Sequence, residues 1–405
     1  MGEGLQDNVI YRNVYDFVTD LLPTGWESDW AWLAYLLAAM AIILLVVNIL
    51  FTLATWLTYA ERRILGRFQS RVGPNRAGPF GLLQPIADAI KMLSKEDIVP
   101  RVADRWVFNM APVVMMAPVF LALAVVPFGP GRVLADLNIG VLYVVAVSGI
   151  GVMAVLMAGW ASANRYAMFG SMRAVAALLS YEIPVVLALL GVVIIIGSMS
   201  LTDIVEGQGL PLLLVQPLGF FVFVTGMSAE LNRPPFDLAE AESEIIAGYH
   251  TEYSGMKFGA FYLAEYSSLV VASAFIAVLF LQGWRGPLLS SYEWLSYVWL
   301  LLKISAIAFV FIWVKATLPR LRIDQILTLA WKFLIPLGLI NVMTAAVEKM
   351  VWPTPTTAEL WIMTGINWGI GVVAIVLFSN ILAKRRGVAI QTVRAAPRPI
   401  VTEVR

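Results

Sequence analysis

Long apolar runs alternate with short polar stretches from about residue 30 to residue 383. A membrane helix needs roughly 20 mainly apolar residues. Nine windows reach that length: 30–57, 106–128, 140–160, 174–197, 212–229, 258–283, 295–316, 326–348 and 361–383. Several contain proline, Pro118, Pro184 and Pro336 among them, which membrane helices tolerate when neighbours satisfy the freed carbonyls. One polar stretch has a different rhythm. Leu82, Ile86, Ile90 and Leu93 recur at helical spacing, with Asp88 and Lys91 on another face; a helix of this kind can lie in the interface plane. The pattern predicts an all-α polytopic transmembrane bundle of about nine spans, with an amphipathic interfacial helix in the first loop.

Composition strengthens this reading. Hydrophobic residues make up 60% and charged residues 14% of the 405, and mean hydropathy is +0.80. A soluble globule has too few interior positions for so much apolar side chain, so lipid must act as part of the solvent. Of the 28 Lys and Arg residues, 23 fall in or beside alternate loops (58–105, 161–173, 230–257, 317–325 and the tail from Lys384), and only Arg12, Arg132, Arg285 and Lys349 fall on the other side. The positive-inside rule then places the C-terminus in the cytoplasm and the N-terminus outside a bacterial cell membrane. Trp26, Trp30, Trp284, Trp294, Trp352 and Trp361 cluster at the outer ends, as an interfacial belt would. Residues 1–29 form an acidic extracytoplasmic segment, 30–350 an eight-span core, 351–383 an additional ninth span, and 384–405 a basic cytoplasmic tail expected to be poorly ordered from Arg386. The first apolar run is too long for the core of a signal peptide.

Several chemistries are excluded. There is no cysteine and a single histidine, His250. Disulfides, c-type haem, thiolate-held clusters and bis-histidine haem therefore lack their ligands, and no metal site is expected. Gly73 to Gly78 has P-loop spacing, but Pro79 stands where the lysine is required. A net charge of +1 gives no field for nucleic acid.

Three groups of polar residues remain. The first loop carries Arg62, Arg63, Arg67, Arg71 and Arg76 between Gly66, Gly73-Pro74 and Gly78-Pro79. It reads either as an anchor for anionic lipid heads or, because the Gly-Pro pairs fix turns, as an ordered basic vestibule for an amphiphile. The third such loop is acidic, with Glu230, Asp237, Glu240, Glu242, Glu244 and Glu252 against Arg233. Solvation is the plain reading, yet Pro234-Pro235-Phe236 and Ile245-Ile246 interleave with the acids and suggest packing against protein. Inside the spans lie Glu182, Glu265 and Lys303, the two acids about two turns in from the cytoplasmic end. Charges there are costly, and membrane pumps use such carboxylates as proton relays; for Lys303 a structural pairing is the favoured reading.

These residues resemble the H-subunit family of bacterial respiratory complex I, the counterpart of mitochondrial ND1. Four blocks carry the resemblance: Glu61-Arg62-Arg63 through Gly73-Pro74-Asn75-Arg76 to Asp88; Gly159-Trp160-Ala161-Ser162 with Ser180-Tyr181-Glu182; Ala229-Glu230-Leu231-Asn232-Arg233-Pro234-Pro235-Phe236-Asp237 through Thr251-Glu252-Tyr253; and Leu318-Pro319-Arg320-Leu321-Arg322-Ile323-Asp324. The resemblance implies a quinone-tunnel subunit of a proton-translocating NADH-quinone oxidoreductase. Quinone would be its substrate, with no prosthetic group of its own; FMN and Fe–S clusters would sit in partner subunits. It implies tunnel roles for Arg62, Arg71, Asp88, Arg320 and Arg322, and proton-coupling roles for Glu182, Glu230, Asp237, Glu240, Glu242, Glu244, Glu252 and Glu265. The implied partners are the peripheral-arm quinone-site subunits and the small and antiporter-like membrane subunits. The ninth span and tail depart from the common eight helices, so no role carries over to them. The competing readings are the homologous subunit of a membrane-bound hydrogenase and a stand-alone ion transporter. A transporter commonly shows repeated halves, and none is visible here.

Overall fold

The computed structural model describes residues 12, 14–16, 31–237, 247–287 and 294–394. Trp26, Trp30, Glu240, Glu242 and Glu244 lie outside the described residues. Among those described there is no strand, only one isolated bridge, and eight helices are long and apolar enough to cross a membrane. The elements are α1 (Ala31–Phe68), α2 (Gln84–Ser94), α3 (Arg105–Ala124), α4 (Gly140–Ala161), α5 (Arg165–Ile196), α6 (Leu201–Gly207), α7 (Leu212–Val215), α8 (Pro217–Glu230), α9 (Gly255–Phe280), α10 (Leu295–Thr317), α11 (Ile323–Leu329), α12 (Ile335–Val351) and α13 (Thr357–Arg394). A π-turn, Ala330–Leu334, joins α11 to α12 into one span.

The bundle is organised around α9. Leu269, Ile276, Ala277, Val278 and Phe280 are fully enclosed, as expected for a helix that is apolar all round. Around it pack α3, α10 and α1, while α5 is bracketed by α4, α8 and α12. The outer helices turn apolar side chains away from the protein; Ile43, Leu44, Leu45 and Ile49 of α1 are all more than half exposed. In water such a surface would aggregate, whereas lipid tails solvate it. The protein is thus a multi-pass membrane protein.

Four expectations change. The window 212–229 is two helices, α7 and α8, broken at Gln216, whose φ of −125° and ψ of 65° are non-helical. Pro217 follows and has no N–H to continue the ladder. With 14 residues, α8 is about 21 Å long, shorter than the hydrocarbon layer of about 30 Å. Second, α5 begins at Arg165 rather than near 174, because Asn164 caps it by accepting from the Tyr166 N–H at 2.9 Å. Glu182 therefore lies mid-helix, not two turns from an end. Third, α13 continues as one helix through Arg394, past the expected start of disorder at Arg386. Fourth, Trp284 is 2% exposed and belongs to the core. Trp294 and Trp361 are more than half exposed, as a belt requires.

The π-turn has a local cause. Pro336 cannot donate and would clash with the carbonyl one turn earlier, and the widened turn ahead of it relieves that conflict.

Candidate functional site

At the basic end of α1 the helix surface carries alternating aromatic and guanidinium groups. Tyr59 OH donates to the Phe80 carbonyl at 2.8 Å, and Arg63 bonds both Tyr59 OH and that same carbonyl. Arg63 also lies over the Tyr59 and Phe80 rings, a cation–π arrangement. The loop returns tightly here: a Cβ on Gly73 would sit 2.9 Å from Arg63 Cα, so only glycine fits. Arg62 reaches across to α2, where its Nη1 meets Asp88 Oδ2 at 2.6 Å, and Lys91 and Gln84 also donate to Asp88. Partial burial works to raise the Asp88 pKa. Hydrogen bonds from Arg62 and Lys91, and the Arg62 charge, outweigh it and hold the carboxyl below its usual range. Asp88 thus stays ionised and fixes α2 against α1. The predicted amphipathic helix is present, with Ile86, Ile90 and Leu93 all more than half exposed. Arg71 is exposed and donates to Gln69 Oε1 at 2.6 Å.

Beneath this surface lies a buried charge cluster. Arg233, 2% exposed, pairs with Glu61 of α1 and places its Nε 3.4 Å from Glu265 of α9. Lys315 of α10 holds the other Glu61 oxygen at 2.7 Å, and the Arg233 guanidinium lies 4.6 Å from the Tyr266 ring centroid. Burial opposes the Arg233 charge, and Glu265 and Glu61 more than offset it, so the side chain remains cationic. Beside the cluster, Arg320 Nη2 pairs with the buried Asp237 at 2.8 Å, and the Leu321 N–H donates to the Pro235 carbonyl at 2.9 Å. The described part of the acidic loop is thereby tied to the segment between α10 and α11. Arg322 is exposed next to it, its backbone N–H directed at Gln325 Oε1.

A second group of acids stands apart. Glu182 of α5 and Glu230 at the end of α8 are close enough to repel one another, and Ser148 of α4 is within hydrogen-bonding reach of Glu230. The Glu182 carboxylate points at Gly149, from which a Cβ would stand 3.9 Å away. Glu230, Ser148, Asn232 and Ser268 are the polar members of a cavity of about 150 Å³, otherwise lined by Val145, Leu178, Val185 and their neighbours. That is room for several waters. Glu182 itself borders a separate groove with Ser180 and Trp331, and the Trp331 indole donates to Ser180 Oγ at 3.2 Å. The π-turn is what carries Trp331 there. Glu252 lies elsewhere, accepting from Asn164 Nδ2 at 2.5 Å.

Glu252 aside, the described candidate residues thus divide into three places. Arg62, Asp88 and Arg71 lie at the surface with α2; Glu265 belongs to the Arg233 cluster, with the Arg320–Asp237 pair and exposed Arg322 on the segments that follow; Glu230 lines the cavity, and Glu182 the groove beside Trp331. The central partners Glu61 and Lys315 are given no role by the sequence reading, although Glu61 opens the first block of the resemblance. Their signal is an acid and a lysine each at the end of an apolar window, which topology alone explains equally well. Lys303 has the structural role favoured for it: its Nζ donates to the carbonyls of Leu281, Gly283 and Arg285 at 2.6, 2.8 and 2.7 Å, closing the end of α9.

A sequence model of the family described as NADH dehydrogenase matches residues 40–346. The H subunit of NADH-quinone oxidoreductase from Dehalococcoides mccartyi strain CBDB1 is 54% identical over 322 residues, covering 80% of this chain and 89% of the relative. The same subunit from Syntrophotalea carbinolica is 48% identical over 318 residues, covering 76% and 94%. That from Geobacillus kaustophilus is 46% identical over 323 residues, covering 79% and 96%.

Proposed function

Because this chain belongs to the NADH dehydrogenase family, on the branch of the H subunits of NADH-quinone oxidoreductase, we propose that it forms the quinone passage of that complex and couples quinone reduction to proton translocation through buried carboxylates. Other subunits of the complex are its partners. Electrons would arrive from FMN and Fe–S clusters held by the peripheral-arm subunits, since this chain offers no cysteine to hold a cluster.

The observation that carries the reading is the Arg62–Asp88 contact, which holds α2 against α1 while leaving Ile86, Ile90 and Leu93 uncovered. A quinone has an isoprenoid tail and a two-carbonyl head. The uncovered face of α2 supplies an apolar track at the membrane surface, and Arg62, Arg71, Arg320 and Arg322 supply donors for carbonyl oxygens along the way. Reduction takes two electrons and two protons. Negative charge developing on the head would draw protons toward the nearest carboxylates. Glu265 and Asp237, already paired with Arg233 and Arg320, would sense that charge first. Glu182 and Glu230, the latter on a cavity large enough for water, would pass the change inward. Glu240, Glu242, Glu244 and Glu252 complete the proposed acidic route from the loop. The membrane would be the bacterial cell membrane, with the basic loops in the cytoplasm and the N-terminus outside.

A photoactivatable quinone in the assembled complex tests the passage. Label is expected in the segment from Arg62 to Leu93, and Arg71→Met should raise the apparent quinone KM without loss of assembly. Label that leaves this segment clear, with an unchanged KM in the variant, would overturn the reading.

A further inference from the structure

At the break at Gln216 buried polar side chains converge, away from the described acids of the proposed route. The Leu214 and Val215 carbonyls, freed by the break, are met from α13: the Trp368 indole donates to Leu214 O at 3.2 Å and Asn367 Nδ2 to Val215 O at 2.8 Å. The same Asn367 amide lies 2.9 and 3.0 Å from the two oxygens of Glu348 on α12. Gln216 Nε2 donates to the Gly191 carbonyl of α5 at 3.2 Å. Asn341 of α12 fits between α5 and α8 only because Gly191 and Gly219 have no side chain; a Cβ at Gly219 would be 2.9 Å from Asn341 Nδ2, and one at Gly191 would collide with it.

Two features exceed what capping a broken helix requires. Glu348 is 4% exposed, and among the described residues its carboxylate's only hydrogen bonds come from Asn367. A carboxylate there has no cation beside it, which is costly if it is ionised. Second, Gln216 Oε1 and Asn341 Nδ2 are buried without a partner, on side chains 1% and 2% exposed. An unmatched acceptor and an unmatched donor on two side chains that both meet Gly191 are the polar partners an ordered water takes. Among the described side chains, the charged groups next to Glu348 and at the start of α13 are directed elsewhere. Lys349 donates to the Ile195 carbonyl at 3.0 Å, and Glu359 caps α13 through Thr356. Glu182 and Glu230 lie about 14 Å from Gly191 along α5 and about 21 Å from Gln216 along α8.

We propose that Glu348, Asn367, Gln216 and Asn341 form a second proton-holding station, containing ordered water, at the end of the bundle opposite Glu230. It gives the last span a function: α13 supplies the amide that holds the acid. The ligands are water and a proton, and the station stands whether or not the quinone reading does, because its occupancy is readable without turnover.

Infrared difference spectroscopy of the purified complex tests it. Glu348→Gln should remove one protonated-carboxyl C=O band from the parental spectrum, and that band should shift in heavy water as the site exchanges. Asn341→Leu leaves the acid in place but fills the water position, so the band should persist with severalfold slower exchange. This second variant decides the matter if Glu348→Gln fails to assemble. The proposal is overturned if Glu348→Gln removes no band, or if the band exchanges equally fast in the parent and in Asn341→Leu.

Discussion

Arg233 and Glu61 stand 172 positions apart in sequence and meet in a contact sealed from solvent, each side chain 2–3% exposed. This contact joins the acidic loop to the first span, with Glu265 on one side and Lys315 on the other. Removing one member of a buried pair strands the other, at a cost of about 3–5 kcal/mol. Arg233→Met should therefore lower the amount of assembled complex in membranes. Glu61→Gln combined with Arg233→Met should recover part of the loss, because the charges left in the cluster, Lys315 and Glu265, are again balanced in sign. Equal loss in the single and double variants, measured by native gel, would remove the pair from its structural role.

Lys303 offers a contrasting case. Its three carbonyl partners close the end of α9, and it touches none of the acids. Lys303→Met should lower the thermal stability of the complex, with about 1–3 kcal/mol lost from unsatisfied carbonyls. Quinone KM and the ratio of protons pumped per NADH should stay at parental values in the complexes that assemble. A changed ratio at unchanged stability would move Lys303 to the coupling machinery.

Orientation is directly testable because the chain has no cysteine of its own. Single cysteines at Ala77, between α1 and α2, and at Gly131, between α3 and α4, should be labelled by an impermeant reagent from opposite faces, Ala77 only from the cytoplasm. Labelling of both from one face would contradict the proposed topology.

How far the sequence discloses this structure depends on the scale of the feature. Spans are legible because some 20 apolar residues in a row leave the chain few options, and the amphipathic α2 is legible from Leu82, Ile86, Ile90 and Leu93. The break at Gln216 is harder, because a Gln-Pro pair in an apolar window also fits a kink. Glu348 gives no signal because it ends an apolar window next to Lys349, where a charged pair reads as the start of a loop; only the fold brings Asn367 to it and buries both. Trp284 reads as belt because it follows an apolar run, yet the turn after α9 folds it inward. Arg233 looks like a lone counter-charge among acids, and no local spacing points to partners on α1 and α9. Periodicity reports what a helix does to its own residues, not which helices meet.

The proposed coupling turns on Glu182 and Glu230, close enough to repel one another, with Glu230 lining a cavity that Ser148 and Asn232 also line. The measurement that tests it most directly is the number of protons pumped per NADH by vesicles carrying Glu182→Gln, Glu230→Gln or both, with NADH–ferricyanide activity as the control for intact electron entry. Glutamine keeps size and most hydrogen bonding but cannot carry a proton. The expected result is retained ferricyanide activity, with quinone turnover and pumping both reduced and the double variant affected most. Parental turnover and a parental pumping ratio in all three variants would contradict the claim that these carboxylates carry the coupling.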